Sequence, residues 1–438
     1  MLGEARVLRA NRSQLSWDLV DLEALLPAEH RARLVWQFVE TLELAPFYAA
    51  IKSRECEAGR PAADPKVLLA LWLYATLEGV GSARELDRLV GRDIAYRWLA
   101  GGVPVNYHGL SDFRVGQATE LDRLLTESVT ALVSEGLVVL DEIAVDGTKL
   151  RSPASSRSFT RGGRLERIER RAAERVAQLK QEIASNPAAV TRRRQAAQER
   201  AARESEAKVA KAREVLDRMR KEKAAREKTH PEEEKQKRAP SVSLTDMEAR
   251  RMRFPDGAVR AGYNLQTAAV PDKGLIVAVK TTDRRNDNGL ACPLIDEVGR
   301  RYGRAPKRAL FDEGYAARAD VEALAGHPAG PVTVYMPPPS EKPEAELGAK
   351  GRESRQYRRA KEPQAVQDWR ARMQTEEGQA IFGRRKLIER IHAHYKQRGL
   401  DRLTVIGLAK TQAVALWHAL ANNLLVGHRL KTAASASG

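Results

Sequence analysis

Residues 137–152, LVVLDEIAVDGTKLRS, decide the fold of this chain. The stretch is largely apolar and strand-like up to Asp146, and it then becomes basic at Lys149 and Arg151. In open α/β sheets, side chains at the ends of strands emerge into a crevice where sites form. We therefore expect a strand that ends at Asp146 and presents this carboxylate to a site.

A second aspartate occupies an equivalent position. The segment KRALFDEGY, residues 307–315, reads as a short strand that ends at Asp312. If the two strands are neighbours, both carboxylates converge, and such a pair persists only when one member is protonated or a cation lies between them. Oxygen ligands suit Mg²⁺, and two Mg²⁺ ions about 4 Å apart can activate a nucleophile and stabilise a leaving oxygen. The alternative is that each aspartate only forms a turn.

A third acid lies near the C-terminus. The segment IFGRRKLIERIHAHYKQRGL, residues 381–400, carries Phe382, Arg385, Glu389 and Lys396 at steps of three, four and seven. On one helix these side chains lie near one face. Glu389 could then complete a metal site while the two cations contact phosphates beside it. Ordinary salt bridging along an exposed helix is the alternative.

These segments carry a family resemblance. The sequence resembles the DDE transposases of bacterial insertion sequences, whose ribonuclease H-like core holds Asp, Asp and Glu, with the signature Tyr-x2-Arg-x3-Glu-x6-Lys. Phe382 replaces the tyrosine, and Arg385, Glu389 and Lys396 match at the right spacing. The segments VDGTKLRS, GYNLQTAAV and LFDEGY resemble the parts of that core that hold the first Asp, the second strand and the second Asp.

The resemblance implies a function and a set of site residues. Asp146, Asp312 and Glu389 would bind two Mg²⁺ ions, with Mn²⁺ as a substitute; water attacks at the end of the element, and the freed 3′-hydroxyl attacks target DNA. The implied partners are double-stranded DNA, as terminal inverted repeats and as target, and a second copy of the chain in a homodimeric synaptic complex. The other residues assigned to the site are Phe382, Gly314 and Tyr315 as support and Arg385, Lys396, Lys149, Arg151, Arg84, Arg88 and Arg92 as DNA contacts.

The composition agrees with such a partner. The 438 residues include 75 Lys and Arg against 58 Asp and Glu, a balance that favours nucleic acid over a membrane. Cys56 and Cys292 lack metal-ligand spacing, and no apolar window reaches the roughly 18 residues that span a bilayer. We therefore expect a cytoplasmic bacterial protein associated with the nucleoid, with no membrane contact.

The first third of the chain has helical apolar spacing. Ser82 and Asp93 can cap two short helices, and Gly101 can end the second. The pair resembles a helix-turn-helix whose arginines, Arg84, Arg88 and Arg92, could meet phosphates. A helical hairpin that only packs on its neighbours is the alternative reading.

Composition also divides the chain. Residues 157–250 are highly charged with a narrow apolar stripe, which predicts a helical hairpin or coiled-coil arm, either solvated or in contact with DNA or a second protomer. We expect an α/β fold: a ribonuclease H-like mixed sheet flanked by helices, preceded by an all-helical domain and interrupted by the arm. The expected parts are a helical DNA-binding and dimerisation domain (1–135), the first part of the core (136–156), the insert (157–250), the rest of the core (251–430) and a disordered tail (431–438).

Several other polar residues have simpler interpretations. Glu313 should point away from the site because it alternates with Asp312 along the chain. Asp283 and Asp287 read as turn and helix-cap residues. His392 and His394 are too far apart around a helix to share a metal ion, and surface or phosphate-facing positions are expected for both.

Two other functions remain compatible with the sequence. The first is a catalytically inactive DNA-binding protein derived from a transposase. The second is a coiled-coil scaffold whose function lies in residues 157–250.

Overall fold

The N-terminal part of the chain is helical, as its apolar spacing predicts. The structure is a computed structural model that describes residues 21–51, 53, 61–185, 192–229, 239–340, 346 and 348–437. Within these ranges, the helices before the first strand are α1 (Arg31–Glu40), α2 (Ala45–Ala49), α3 (Pro65–Leu77), α4 (Ala83–Arg92), α5 (Ile94–Ala100), α6 (Tyr107–Gly116) and α7 (Ala118–Ser134).

Helix α3 is the centre of this region. Asp64 caps it by accepting a hydrogen bond from the backbone N–H of Lys66 at 2.8 Å, and Pro65 occupies the first turn. Every residue of α3 except Lys66 is buried, because the helix has no polar face to expose to water. The predicted caps Ser82 and Asp93 are confirmed at the starts of α4 and α5.

A mixed sheet follows the helices. Its strands are β1 (Glu142–Arg151), β4 (Arg250–Arg253), β5 (Val259–Val270), β6 (Leu275–Thr282), β7 (Arg308–Leu310) and β8 (Thr333–Tyr335). Their order in the sheet is β4–β5–β1–β7–β8, and β6 pairs with the same edge of β5 as β4, further along the strand. β5 is antiparallel to β1 and β6, whereas β7 is parallel to β1 and β8.

Helices lie between and after these strands. They are α10 (Ala291–Tyr302), α11 (Arg318–Ala325), α12 (Ala349–Ala360), α13 (Gln364–Arg372), α14 (Glu376–Gly383), α15 (Leu387–Gln397) and α16 (Leu408–Ser437). The expected α/β class, with a ribonuclease H-like mixed sheet after a helical region, is confirmed.

The arm interrupts the sheet between β1 and β4. It consists of α8 (Gly162–Ser185) and α9 (Arg192–Thr229), which pack on each other, and the short strands β2 (Phe159–Thr160) and β3 (Val242–Ser243) pair at its base. The predicted apolar stripe is buried at Leu165, Val176 and Leu179. Because Leu165 joins Val209 and Leu216 of α9 and Val242 of β3 in one buried cluster, the arm has a small core of its own.

The last helix, α16, joins the helical region to the sheet. It packs against α3, α6, α7 and β6. Its side-chain amides bind the free backbone edge of β6: Gln412 bonds to Val279 and Thr281 at 2.9 and 2.7 Å, and Asn423 bonds to both backbone groups of Ile276 at 2.6 and 2.9 Å. The helix thus occupies the position of a further strand.

Two predicted boundaries are wrong. The expected disordered tail is instead the end of α16, which continues to Ser437 although residues 431–436 are exposed; Lys431 forms an ion pair with Glu135 at 2.8 Å. Asp146 lies in the middle of β1 rather than at its end, because β5 continues to pair with β1 as far as Arg151 after the pairing with β7 has stopped at Ala144.

Within the described residues, no helix has both the length and the apolar character needed to cross a membrane.

Removal of the Trp417 side chain should destabilise the whole chain, because the residue joins its two halves. The ring is fully buried against Phe113 and Trp72, and Nε1 donates to the backbone oxygen of Arg114 at 2.8 Å. We expect Trp417→Ala to lower the free energy of unfolding by about 3–5 kcal/mol in a urea titration. The exposed His428 on the same helix provides the control, and His428→Ala should change it by less than about 0.5 kcal/mol. Equal effects of both substitutions would contradict this role for Trp417.

Candidate functional site

Asp146 and Asp312 lie side by side because β1 and β7 are parallel neighbours. Ala144 lies opposite Leu310 in their register, and each aspartate is the second residue beyond this pair. The chain remains extended at Asp312, with φ −82° and ψ 175°. Since a step of two residues returns a side chain to the same face of a sheet, both carboxylates emerge on one face. The predicted convergence of the two acids therefore follows from the register.

The turn after β7 fixes Asp312. Asp312 caps a 3₁₀ turn, Glu313–Tyr315, in which its Oδ1 accepts a hydrogen bond from the backbone N–H of Gly314 at 2.9 Å. The buried Tyr315 donates its hydroxyl to Oε1 of Gln266 on β5, which ties the turn to the sheet. Glu313 points away, as predicted, and accepts hydrogen bonds from the backbone and hydroxyl of Ser340.

A third carboxylate, that of Asp287, lies next to Asp312 over the face of β1 that carries Gly147, and its charge acts on both Asp146 and Asp312. Its Oδ1 accepts hydrogen bonds from the side-chain amides of Asn264 at 2.6 Å and Gln266 at 2.7 Å. Its Oδ2 lies on the Asp312 side, because a Cβ added to Gly314 would be 3.0 Å from Oδ1 of Asp312 and 3.7 Å from Oδ2 of Asp287. Asp287 was expected to act primarily as a turn and helix-cap residue; its backbone oxygen does accept a hydrogen bond from the N–H of Leu290 just before α10, but its side chain faces Asp312.

The segment before and within α15 covers Asp146. Nη1 of Arg385 is 3.3 Å from Oδ2 of Asp146, and Nδ1 of His392 is 3.6 Å from the same oxygen. The guanidinium also lies 5.8 Å from the centre of the Phe382 ring, so the phenylalanine supports the arginine without a hydroxyl. His392 is buried here, so the surface position expected for it is wrong.

The signature does not occupy one continuous helix. Phe382 belongs to α14, Arg385 to a 3₁₀ turn (Arg384–Lys386), and Glu389 and Lys396 to α15. Glu389 lies at the rim of the pocket, with its side chain 63% exposed and Oε1 3.7 Å from Nη2 of Arg385. Arg385 thus bridges Asp146 and Glu389, and the three acids of the signature lie on one side of the sheet without meeting.

Burial and like charge disturb the ionisation of the pocket. Burial, assisted by the negative charges of Asp312 and Asp287, raises the pKa of Asp146 to about 6, although Arg385 opposes the change. Burial and then Asp287 raise the pKa of Asp312. Burial lowers the pKa of His392 to about 4, so its ring is neutral near pH 7. A pocket that resists the charged forms of its own acids is typical of sites that bind a cation.

The residues predicted to contact DNA have different environments. Lys149 points into the pocket, with Nζ 3.9 Å from Oδ1 of Asp287, so it partly neutralises the acids there. Arg151 and Lys396 are exposed. The three arginines of α4, Arg84, Arg88 and Arg92, are exposed at intervals of four residues.

The residues that sequence reasoning did not connect with the site had a usable signal. Asn264 and Gln266 are alternate amide positions in GYNLQTAAV, a fully buried and largely apolar part of β5. Polar side chains that alternate on one face of a buried strand need a partner. The rule applied to Asp312 points first to Asp283, which directly follows β6, so the buried amides are the signal that could have identified Asp287.

The donor set of the pocket suits a hard divalent cation. Asp146, Asp287 and Asp312 supply only carboxylate oxygens, the ligands that Mg²⁺ prefers. Glycines line the space beside them, and a Cβ on Gly147 would be 2.5 Å from Oδ1 of Asp287. Within the described ranges, no three acidic, histidine or cysteine side chains already converge as a metal-binding group. The residues fit a metal by their chemistry and their proximity to one another.

The raised pKa of Asp146 predicts the effect of pH on stability in metal-free buffer. The folded state keeps the carboxyl proton of Asp146 up to about pH 6, whereas the unfolded state releases it near pH 4. The free energy of unfolding therefore falls as the pH rises through this interval. Asp146→Asn should therefore raise the free energy of unfolding by about 1–3 kcal/mol at pH 7.5, and by much less at pH 4.5. Urea titrations in EDTA at both pH values measure this difference.

Asp141 provides a control, because its pKa is shifted in the direction opposite to that of Asp146. Hydrogen bonding to Lys307 lowers its pKa, so Asp141→Asn should not stabilise the chain at pH 7.5. Stabilisation by both substitutions, or by neither, would contradict the assigned environment of Asp146.

Two family models match the chain, in the order expected from its structure. A model described as a transposase domain matches residues 20–115, within the helical region. A model described as a transposase DDE domain matches residues 228–424, which include Asp287, Asp312 and Glu389 but not Asp146. Neither the curated proteins nor the solved structures gave a significant match to this chain. Both models describe transposase domains, and the sheet brings together Asp146, which lies between the two matches, and Asp312, which lies within the second. The chain therefore belongs to the DDE transposases.

Proposed function

We propose that this transposase cuts DNA at the ends of an insertion sequence and transfers the freed 3′-hydroxyl into target DNA. The observation that carries the proposal is the register of β1 and β7, which brings Asp146 and Asp312 together beneath Arg385 and Glu389. Like charges gathered in a partly buried pocket of a basic chain are suited to hold cations against a polyanion.

Asp146, Asp312 and Glu389 are the residues assigned to two Mg²⁺ ions, for which Mn²⁺ could substitute. The bound metal would make a water molecule nucleophilic near neutral pH and stabilise the leaving oxygen of a phosphodiester. Glu389 is exposed on the first turn of α15, so a change of its side-chain rotamer is the movement it needs to approach Asp146.

The other residues of the pocket orient these acids. Arg385 holds one oxygen of Asp146 in an ion pair, and the ring of the neutral His392 lies beside the same oxygen. Arg385 also faces Glu389 at the open rim, where a DNA phosphate could replace either carboxylate as its partner. Phe382 and Tyr315 support this arrangement by packing under Arg385 and by fixing the turn after Asp312.

DNA binding requires a cationic surface outside the pocket. The exposed side chains of Arg84, Arg88 and Arg92 form one row along α4, and Lys396 is exposed on α15. We assign these residues, with Arg151, to phosphate contacts and residues 1–135 to end binding and dimerisation. A homodimer supplies the two DNA-binding surfaces that a synaptic complex of two ends needs.

Loss of any one of the three assigned acids should abolish cleavage but not binding. With double-stranded oligonucleotides that carry the inverted repeats flanking the gene, we expect Asp146→Ala, Asp312→Asn and Glu389→Gln to lower Mg²⁺-dependent cleavage about 10³-fold, because each removes several kcal/mol of transition-state stabilisation. Gel shifts should show unchanged end binding.

Glu313→Gln is the matched control for this series. Glu313 is adjacent to Asp312 but binds Ser340 outside the pocket, so its substitution should leave cleavage within about twofold. If the unmodified chain binds the ends and cuts nothing, the inactive DNA-binding alternative is correct. If it does neither, the scaffold alternative is favoured.

The arginine row should determine how DNA binding depends on salt. Each lost phosphate contact lowers the slope of log K against log salt by about 0.9 for duplex DNA. We expect Arg84→Ala, Arg88→Ala and Arg92→Ala together to lower it by about 2–3. Arg300, which is exposed on α10 and paired with Glu297, gives the control, and Arg300→Ala should leave the slope unchanged. Equal slopes for all proteins would remove α4 from the DNA interface.

A further inference from the structure

Asp287 is held in a way that leaves one of its oxygens available. Oδ1 accepts two hydrogen bonds from the amides of Asn264 and Gln266, and Lys149 lies 3.9 Å from the same atom. Oδ2 has no hydrogen-bond donor among the described residues and lies on the side of Asp312. The side chain is 19% exposed, so water only partly compensates this charge. The arrangement fixes the orientation of the carboxylate and directs Oδ2 toward the other acids.

A turn-forming role does not require this arrangement. Asp283, four residues earlier in the same loop, forms an ion pair with Arg250 at 2.7 Å and remains 41% exposed, as expected for a structural acid. Asp287 instead occupies the pocket beside a like charge. Two buried amides from the central strand β5 are used to hold it there.

An unpartnered polar atom beside Asp287 points independently to a missing ligand. Asn264 is fully buried, and its Oδ1 has no hydrogen-bond partner. This oxygen is 3.1 Å from the position that a Cβ on Gly147 would take, and Oδ1 of Asp287 is 2.5 Å from that position. Buried polar atoms without partners are rare and costly, so the pocket is incomplete as it stands.

We propose that Asp287 is a further metal-binding carboxylate of this site, which shares a divalent cation with Asp312 through Oδ2 while Asn264 and Gln266 fix its orientation through Oδ1. This inference rests on the proposed metal-dependent function and adds to it an acid outside the Asp-Asp-Glu signature. The amides act as orienting partners of the kind that metal-ligating carboxylates usually have. Gly147 and Gly314 keep the space beside the acids open, because a side chain at either position would contact them.

Titration of the full chain with Mn²⁺, without DNA, tests the assignment by binding rather than by activity. Isothermal titration calorimetry compares the unmodified chain with Asp287→Asn, Asp283→Asn and Asp312→Asn. The Asp283 variant is the matched control, because it removes the same charge from the same loop outside the pocket. We expect Asp287→Asn and Asp312→Asn to weaken Mn²⁺ binding about tenfold or more and Asp283→Asn to change it by less than about twofold.

Folding is monitored in the same samples. Asparagine is nearly isosteric and can still accept the two amide hydrogen bonds, so circular dichroism and the melting temperature in EDTA should match those of the unmodified chain or show a small stabilisation. A second variant, Asp287→Glu, keeps the charge but moves the oxygens and should also weaken binding. The inference would be overturned if both Asp287 variants bound Mn²⁺ as tightly as the unmodified chain and only Asp312→Asn lost affinity. That result would leave the proposed function standing. Failure of the unmodified chain to bind Mn²⁺ would overturn both.

Discussion

The energetic cost of keeping several aspartates close together under partial burial is the constraint on which the site depends. Backbone pairing enforces the arrangement: β1 and β7 can pair in parallel only if the residues beyond Ala144 and Leu310 become neighbours. The chain compensates part of the charge with Lys149 and Arg385, yet the raised pKa of Asp146 indicates that the compensation is incomplete. The sheet therefore stabilises an arrangement that its own electrostatics oppose, which is expected where function requires it.

Much of this arrangement could be predicted from the sequence because it depends on local patterns. Apolar runs that end at Asp146 and Asp312 predicted two strands, and the spacing of Arg385 and Glu389 predicted that both face the same side. Features that depend on long-range packing could not be predicted. Nothing in HAHYK shows that His392 is buried, because its burial is produced by β1, more than two hundred residues earlier in the chain. Asp287 was assigned to a turn because its loop resembles any other loop until Asn264 and Gln266 are placed beside it.

The break in the signature has a physical explanation. A single α-helix from Phe382 to Lys396 would keep uniform spacing, but the chain tightens into a 3₁₀ turn at Arg384–Lys386 between α14 and α15. Arg385 lies in this turn and can therefore contact Asp146, Glu389 and the ring of Phe382 at once. The spacing of these residues in this chain thus corresponds to contacts around Arg385 rather than to one face of a single α-helix.

The two amides with which α16 binds β6 affect how this protein can associate with other chains. An uncovered edge strand offers a ready template for intermolecular β-pairing and for aggregation. Gln412 and Asn423 occupy the hydrogen-bonding groups of Val279, Thr281 and Ile276, so this border of the sheet is closed to further strands. Self-association through the edge of β6 is therefore blocked while α16 is in place. A chain that lost its last thirty residues would expose the unpaired backbone groups of β6 together with the hydrophobic face that α16 covers.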